Sequence, residues 1–229
     1  MEKSNPLYKN QGIHVIANIF TIENGIVKVL LIKRNNEPFK NMWGLVGGAL
    51  YNNETLNDGM LRELKEKTGI ESIKLDPFDI FSDVDRSPIM RMIAVSYIGV
   101  IDSYKVNVLK ETMKTNDSDW VSIDSVGKLA YDHNKILNSA KEKLKELICN
   151  SNILSSLYPE GFTIPEIQMA YESILEKKFD RRNFRKKLVN SGLIIDTGNS
   201  KKVYGNKPAK LYKFKDKIVN KRLLLSHLE

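Results

Sequence analysis

The chain has 229 residues, of which 41% are hydrophobic, and a mean hydropathy of -0.34. This length exceeds that of one typical domain and fits a domain of about 150 residues followed by a smaller one. No apolar run approaches the roughly 18 residues of a membrane span, the first twelve residues lack a signal-peptide core, and the single cysteine excludes an internal disulfide. We therefore expect a cytoplasmic protein without a membrane partner, with domains at residues 1–150 and 151–229.

The net charge of +8 is confined to the last third of the chain. Residues 148–229 contain 16 Lys and Arg against 8 Asp and Glu, which leaves 20 residues of each sign in residues 1–147. A basic module beside a neutral one indicates a polyanion partner for the C-terminal part. Solubilising surface charge is the alternative, and composition alone does not separate the two.

The first 150 residues predict a mixed α/β domain. Hydrophobic patterning predicts strands at residues 14–20, 27–32, 45–46, 89–101 and 120–123. Helices are expected at residues 54–68 and 136–148. The apolar face of the first helix is assigned to Leu56, Met60, Leu61 and Leu64, and Gly69 is the expected stop.

The pattern changes after residue 152. Thr163 is an expected N-cap, with Pro165 in the first turn of the helix that follows. A second helix is expected at residues 179–189, followed by short strands at 193–196 and 211–214. The order helix, helix, hairpin is typical of a winged helix, a form of the helix-turn-helix.

A spaced motif lies in the first predicted helix and the loop before it. It consists of Gly48, Glu54, Arg62, Glu63, Leu64, Glu66, Gly69 and Ile70. The motif resembles the Nudix signature, G-x5-E-x7-R-E-U-x-E-E-x-G-U with U apolar, at every fixed position but one. Glu63 and Glu66 are three residues apart and share one helical face, where carboxylates can hold Mg²⁺ against a diphosphate. A solvated helix face is the alternative for this pair.

The resemblance implies a Nudix α/β/α sandwich over residues 14–147. It also implies that Arg62 pairs with Glu54, and that Glu63 and Glu66 are the candidate catalytic and metal-binding residues. The exception to the signature is Lys67, where the family places a third carboxylate. We expect its ammonium to pair with Glu63 and Glu66 in the space of a divalent ion, and hydrolysis to be lost. On this view no cofactor is required, and Mg²⁺ is needed only if the chain is hydrolytic.

Further motifs resemble the Nudix-related transcriptional regulators, the NrtR family. They are Asp85-Arg86-Ser87-Pro88 with Arg91, the Val95-Ser96-Tyr97 segment, and Leu129-Ala130-Tyr131-Asp132-His133. Guanidinium groups suit phosphate or carboxylate ligands, although ordinary surface arginines and a helix-capping Asp132-His133 are the alternatives. The candidate ligand-binding residues are Arg34, Gly48, Arg62, Glu63, Glu66, Arg86, Arg91 and His133.

The C-terminal segments at residues 162–168, 179–188 and 205–214 resemble the DNA-binding half of the same family. Phe179, Phe184 and Leu188 predict a buried stripe on the second helix and leave its basic residues exposed. We assign base or backbone contacts to the exposed arc Arg181, Arg182, Asn183, Arg185 and Lys186. The wing contributes Lys201, Lys202, Lys207 and Lys210. A solvated basic helix beside a structural hairpin is the alternative.

The family resemblance implies a homodimeric repressor-type regulator on a double-stranded DNA operator. Its effector would be ADP-ribose or a related metabolite, and its targets genes of NAD metabolism. Related regulators of this architecture respond to a sugar such as arabinose, which leaves a second effector class open. An active Nudix hydrolase, an ADP-ribose pyrophosphatase with an accessory basic domain, is the alternative function. A protein- or RNA-binding C-terminal module is the third.

Overall fold

The computed structural model describes residues 11–202 and 208–215. The described residues divide into two compact units. The first contains the chain to Thr21 and Lys28–Lys141, and the second contains Ile22–Val27 and the chain from Glu142. A domain boundary after residue 150 stays a prediction. None of the helices in the described part is long and apolar enough to cross a membrane.

The first unit is built on a six-stranded mixed sheet with the order β4-β5-β1-β3-β2-β6. Its strands are β1 (Gly12–Glu23), β2 (Ile26–Arg34), β3 (Trp43–Ala49), β4 (Asp76–Phe81), β5 (Met92–Val100) and β6 (Thr115–Ser122). The central strand β1 runs parallel to β5 and antiparallel to β3. β4 was not predicted; β1, β2, β3 and β6 are longer than predicted, and β5 is shorter.

The first unit contains α1 (Leu56–Thr68) and the start of α2 (His133–Asn150), whose residues from Glu142 onward belong to the second unit. Thr55 and Asp58 form a capping box at the start of α1, and Gly69 ends it in a left-handed conformation. Met60 and Leu64 join one core cluster with Val15 of β1. The prediction that Leu56 and Leu61 share this buried face is wrong, since their exposed fractions are 37% and 43%. The sheet covers a narrower stripe of α1 than the apolar sequence pattern indicated.

The second unit has a winged-helix order. It contains α3 (Ile164–Leu175), α4 (Arg181–Asn190) and the hairpin of β7 (Ile194–Lys201) and β8 (Ala209–Phe214). Thr163 caps α3 through a box with Glu166, as the sequence predicted. Phe162 and Tyr212 exchange two backbone hydrogen bonds of 2.8 Å, which add a short bridge to the hairpin.

The buried stripe of α4 holds it against the rest of the unit. Phe184 and Leu188 are buried, and the Phe184 ring packs edge-on against Tyr171 at 5.6 Å. Phe179, predicted as part of the helix, instead precedes it; its ring stacks on Phe184 while the side chain stays half-buried. Asp180 is the N-cap, accepting a hydrogen bond from the Asn183 amide. With this face buried, the basic residues of α4 point to solvent.

Candidate functional site

A cleft of about 330 Å³ lies in the first unit, and strands β1, β2 and β3, helices α1 and α2 and four loops line it. Four of the predicted ligand residues line the cleft, namely Arg34, Gly48, Glu63 and His133. Gly48 permits the close approach of Glu63, because a Cβ at this position would lie 2.3 Å from the Glu63 carboxyl group. Residues of the sequence motif therefore line this cleft.

Arg62 ties the loop of the motif to its helix. Its guanidinium donates to both Glu54 oxygens, at 2.8 and 2.6 Å, as the family resemblance implied. It also donates to Glu63 at 2.5 Å and to the Ala49 carbonyl at 2.9 Å. The hydrogen bond from Arg62 lowers the pKa of the Glu54 carboxyl to about 2. Arg62 does not line the cleft; it braces the residues that do.

Lys67 lies where the Nudix signature has a carboxylate. Its ammonium is 3.0 Å from Glu63 Oε2 and donates to the Gly47 carbonyl oxygen. Both side chains are largely buried, with exposed fractions of 12% for Lys67 and 5% for Glu63. Burial raises the pKa of Glu63, but Lys67 and Arg62 outweigh it and leave the pKa below its usual value. Glu63 is therefore a carboxylate held by two cations.

Glu66 has a different cation, which the sequence did not reveal. Lys114, in the loop before β6, lies 2.5 Å from Glu66 Oε2 and 3.9 Å from Glu63 Oε1. Arg62 approaches Glu66 to 3.2 Å. The expectation that Lys67 pairs with both carboxylates is therefore wrong: it pairs with Glu63 only, and Lys114 pairs with Glu66.

These contacts do not fit a divalent metal. The Glu63 and Glu66 oxygens already face Lys67, Lys114 and Arg62, so a metal ion would meet three positive charges around two carboxylates. Within the described residues, no group of three or more His, Cys, Asp or Glu side chains could hold a metal ion. The predicted weak metal site at Glu63 and Glu66 thus has its carboxylates committed to side-chain cations.

Arg86 and Arg91 do not line the cleft. The Arg86 side chain is 1% exposed and pairs in bidentate fashion with Asp132, at 3.0 and 2.8 Å. Its Nη1 atom is buried without a hydrogen-bond partner in the described structure. Arg91 Nη1 instead donates to the carbonyls of Ser82 and Asp83, at 2.7 and 2.8 Å. The two arginines predicted to bind ligand therefore order the loop between β4 and β5.

Two histidines of the cleft are neutral. His133, the first residue of α2, accepts a hydrogen bond from the Leu45 amide through Nδ1, at 3.0 Å. Burial, with the positive charges of Arg86 and Arg34, lowers the pKa of His133 to about 3. Burial and Arg86 likewise lower the pKa of His14 to about 4. Neither ring therefore carries a positive charge that would attract an anion at neutral pH, but each places polar nitrogen atoms in the cleft.

Other lining residues were not predicted to bind ligand. Two are aromatic, Tyr51 with the Arg62 guanidinium over its ring at 3.8 Å and Tyr131 with Arg34 at 5.0 Å. Tyr131 lies in the sequence motif before α2, which was a usable signal. Lys114 lies 48 residues from Glu66 along the chain, within a segment that has no motif. Only the fold brings it to the cleft.

The second unit presents the predicted basic surface. All five residues of α4 that were predicted to contact DNA are exposed, namely Arg181, Arg182, Asn183, Arg185 and Lys186. In the wing, Lys201 pairs with Glu166 at 3.0 Å and Lys210 with Asp196 at 2.8 Å, so their charge is partly neutralised. Lys202 is exposed, and Lys207 lies outside the described residues. Of the predicted DNA-contacting residues that the structure describes, five therefore lie on α4 and three in the wing.

Comparison with known families matches both units. The Nudix domain family matches residues 12–140, and the family of NrtR DNA-binding winged-helix domains matches residues 155–214. A relative from Acinetobacter baylyi, described as an ADPR-responsive transcriptional repressor, is 32% identical over 86% of this chain and 79% of its own. The chain belongs to the NrtR-like family of Nudix-related regulators.

Solved structures of the NrtR family carry the same architecture. Shewanella oneidensis NrtR in complex with a 27mer DNA has a TM-score of 0.77 and 28% identity, over 89% of this chain and 93% of that chain. Its Nudix domain, solved with ADP ribose, has a TM-score of 0.56 and 28% identity, over 61% of this chain and 93% of that chain. The sandwich and winged helix predicted from the sequence are thus confirmed.

A relative of the Nudix domain alone is an enzyme. The ADP-ribose pyrophosphatase of Methanocaldococcus jannaschii is 32% identical over 48% of this chain, and the match spans 63% of that protein. The NrtR-like family therefore shares its first domain with hydrolases, and the residues of the cleft bear on which of the two activities this chain has.

Proposed function

We propose that this chain is a transcriptional repressor that binds a DNA operator through α4 and responds to ADP-ribose bound in the cleft. The observation that carries the DNA-binding half is the exposed arc of α4. It places three arginines, a lysine and an asparagine on the solvent side of a helix whose other face is buried. Arginine and asparagine are the side chains that read guanine and adenine edges in the major groove.

The effector half of the proposal has a different support. The cleft has lining atoms from Arg34, Lys67 and Lys114, which suit an anionic ligand, and aromatic rings at Tyr51 and Tyr131, which suit a base or a sugar. Relatives with this architecture are described as ADPR-responsive or were solved with ADP ribose. An arabinose-type effector lacks the negative charge that these cations would bind. Control of genes of NAD metabolism stays a prediction.

The DNA proposal predicts which substitutions change affinity and which change its salt dependence. We expect Arg182→Ala and Arg185→Ala each to cost about 1–3 kcal/mol on the operator, because bidentate base contacts are lost. Lys202→Ala should weaken binding to all sequences alike. It should also flatten the slope of log affinity against log salt by about one, because the loss of one phosphate contact reduces the number of counterions that binding releases. Fluorescence anisotropy with the upstream DNA of its own gene and a scrambled duplex, at two salt concentrations, measures both effects.

Lys135→Ala is the matched control, since Lys135 is an exposed lysine of the first unit that pairs with Asp83. Its affinity and salt slope should equal those of the wild type. Wild-type binding without salt dependence or operator preference would contradict the repressor function.

We also propose a homodimer, because paired half-sites match a two-fold protein. Sedimentation of the DNA complex should then give two chains per operator.

The hydrolase alternative has one favourable observation, the similarity of the first domain to an ADP-ribose pyrophosphatase. We expect the chain to hydrolyse ADP-ribose negligibly with Mg²⁺, because side-chain cations already hold the carboxylates of the motif. Phosphate release after coupling to a phosphatase, with and without Mg²⁺, measures this activity. Turnover at ordinary enzyme rates, about 1 per second or more, would place the hydrolase first.

A further inference from the structure

The Lys67 ammonium is fixed by oxygens on two elements that meet at the cleft. It lies 3.0 Å from Glu63 Oε2 on α1 and donates to the Gly47 carbonyl of β3. A carboxylate and a backbone carbonyl are also the oxygen types that bind hard divalent cations. An ammonium has three N–H donors, and the hydrogen bond to the Gly47 carbonyl uses one of them, while Glu63 Oε2 faces the ammonium as an ion pair. Lys67 also lines the cleft, so it has donor capacity for a ligand oxygen.

The charge of the cluster supports the same conclusion. Glu63 and Glu66 carry two negative charges, whereas Lys67, Lys114 and Arg62 carry three positive ones, so the cluster has a net charge of +1. A carboxylate at position 67 that bound a divalent metal would also contribute a net +1, the same as lysine alone. The cleft therefore has, without a metal, the charge that a signature carboxylate and its metal would give it.

We propose that Lys67 takes the place of the metal ion, so that the cleft binds the diphosphate group of its effector without any metal. Lys114 is the second cation of this site; it is 36% exposed, lines the cleft and lies 3.9 Å from Glu63. The inference rests on the proposed function for the identity of the effector and hence for the diphosphate, whereas the preference for an anionic group follows from the charge of the cluster. A cation covalently attached to the fold needs no separate binding step.

Calorimetric titration of the full chain with ADP-ribose, in EDTA and in MgCl₂, tests the proposal. We expect the wild-type Kd to be equal in the two buffers within about twofold. Lys67→Met should raise Kd by about 10–100-fold in both, because a charge-assisted hydrogen bond is lost. Lys67→Glu should raise it at least as much in EDTA, and MgCl₂ should recover about tenfold or more, because the signature carboxylate is restored.

Two control variants separate the charge from folding effects. Lys110→Met removes an exposed lysine that pairs with Asp119 outside the cleft, and should leave Kd unchanged. Lys67→Arg keeps the positive charge and should bind within a few-fold of the wild type, even if Lys67→Met proves unstable. A wild type that binds ADP-ribose only with MgCl₂, or an arginine variant as weak as a folded methionine variant, would overturn the proposal.

Inorganic pyrophosphate distinguishes failure of this inference from failure of the proposed function. If the wild type binds pyrophosphate in EDTA but not ADP-ribose, and Lys67→Met loses that binding, the metal-free site stands and the effector was wrong. If ADP-ribose binds but requires Mg²⁺, the effector stands and the metal-free site is wrong. If neither ligand binds in either buffer, both are wrong.

Discussion

Replacing Asp132 by alanine should lower the free energy of unfolding of the first unit by about 3–5 kcal/mol. Asp132 holds the Arg86 guanidinium in two hydrogen bonds, and the Arg86 side chain is 1% exposed. Breaking a buried pair by removing one partner leaves an uncompensated charge in a medium that solvates it poorly. The Nη1 atom of Arg86 already lacks a partner in the described structure, so little local hydrogen bonding can replace the lost carboxylate.

Urea denaturation followed by tryptophan fluorescence isolates this effect. The chain has two tryptophans, Trp43 and Trp120, both in the first unit, so the signal does not mix the unfolding of the two units. The matched control is Lys135→Ala, which breaks the exposed pair with Asp83 and should cost at most about 1 kcal/mol. The double variant Arg86→Met with Asp132→Leu should cost less than the sum of the single variants. A loss below about 1 kcal/mol for Asp132→Ala would contradict the pairing.

Acidification from pH 7 to pH 5 should lower the free energy of unfolding of the same unit by about 3–4 kcal/mol. The pKa of His133 is about 3 and that of His14 about 4 in the folded chain, against about 6.5 when unfolded. Below pH 6.5 the two histidines are protonated in the unfolded chain but stay neutral in the folded chain, so the free energy of unfolding falls as the pH falls. At pH 5 each histidine contributes up to about 2 kcal/mol, with His14, which is half-buried, contributing less.

The histidine effect can be separated from that of the carboxylates. Glu54 and Glu63 have lowered pKa values, so the stability that they supply is present above the unfolded pKa of about 4.5 and is lost only below it. His133→Asn, whose side-chain oxygen can still accept the Leu45 amide proton, should remove about half of the change between pH 7 and pH 5. Denaturation curves at four pH values in this range give the slope. An unchanged slope in this variant would show that His133 is not the group that titrates.

Sequence patterns predicted the features that depend on neighbours along the chain. The capping residue Thr163, the stop at Gly69 and the Arg62–Glu54 pair all involve residues within nine positions of each other. Strand β4 was missed because its sequence, Asp-Pro-Phe-Asp-Ile-Phe, contains proline and two acids, which suit an edge strand. Its place at the edge is set by hydrogen bonds with β5.

The candidate ligand residues show the same difference between features set by nearby residues and features set by the fold. Gly48 and Glu63 belong to one spaced motif and line the cleft, whereas Arg86 belongs to another motif and pairs with Asp132. Ligand binding by these residues stays a prediction. A motif fixes which residues recur together but not whether a guanidinium faces a ligand or a carboxylate. Lys114 could not be predicted from the sequence, because it lies in a distant loop that only the fold brings to α1, and contacts over such separations leave no local pattern.

The anchoring of Lys67 affects how a sensor of this design would report its signal. Its side chain is held by Gly47 and Glu63 before a ligand arrives, so the rotamer entropy of a lysine, up to about 2 kcal/mol, is lost on folding rather than on binding. Occupancy of a cleft that recruits a free ion depends on two concentrations, whereas occupancy of this cleft follows one. Transcription under its control would therefore track the metabolite and ignore fluctuations in cellular magnesium.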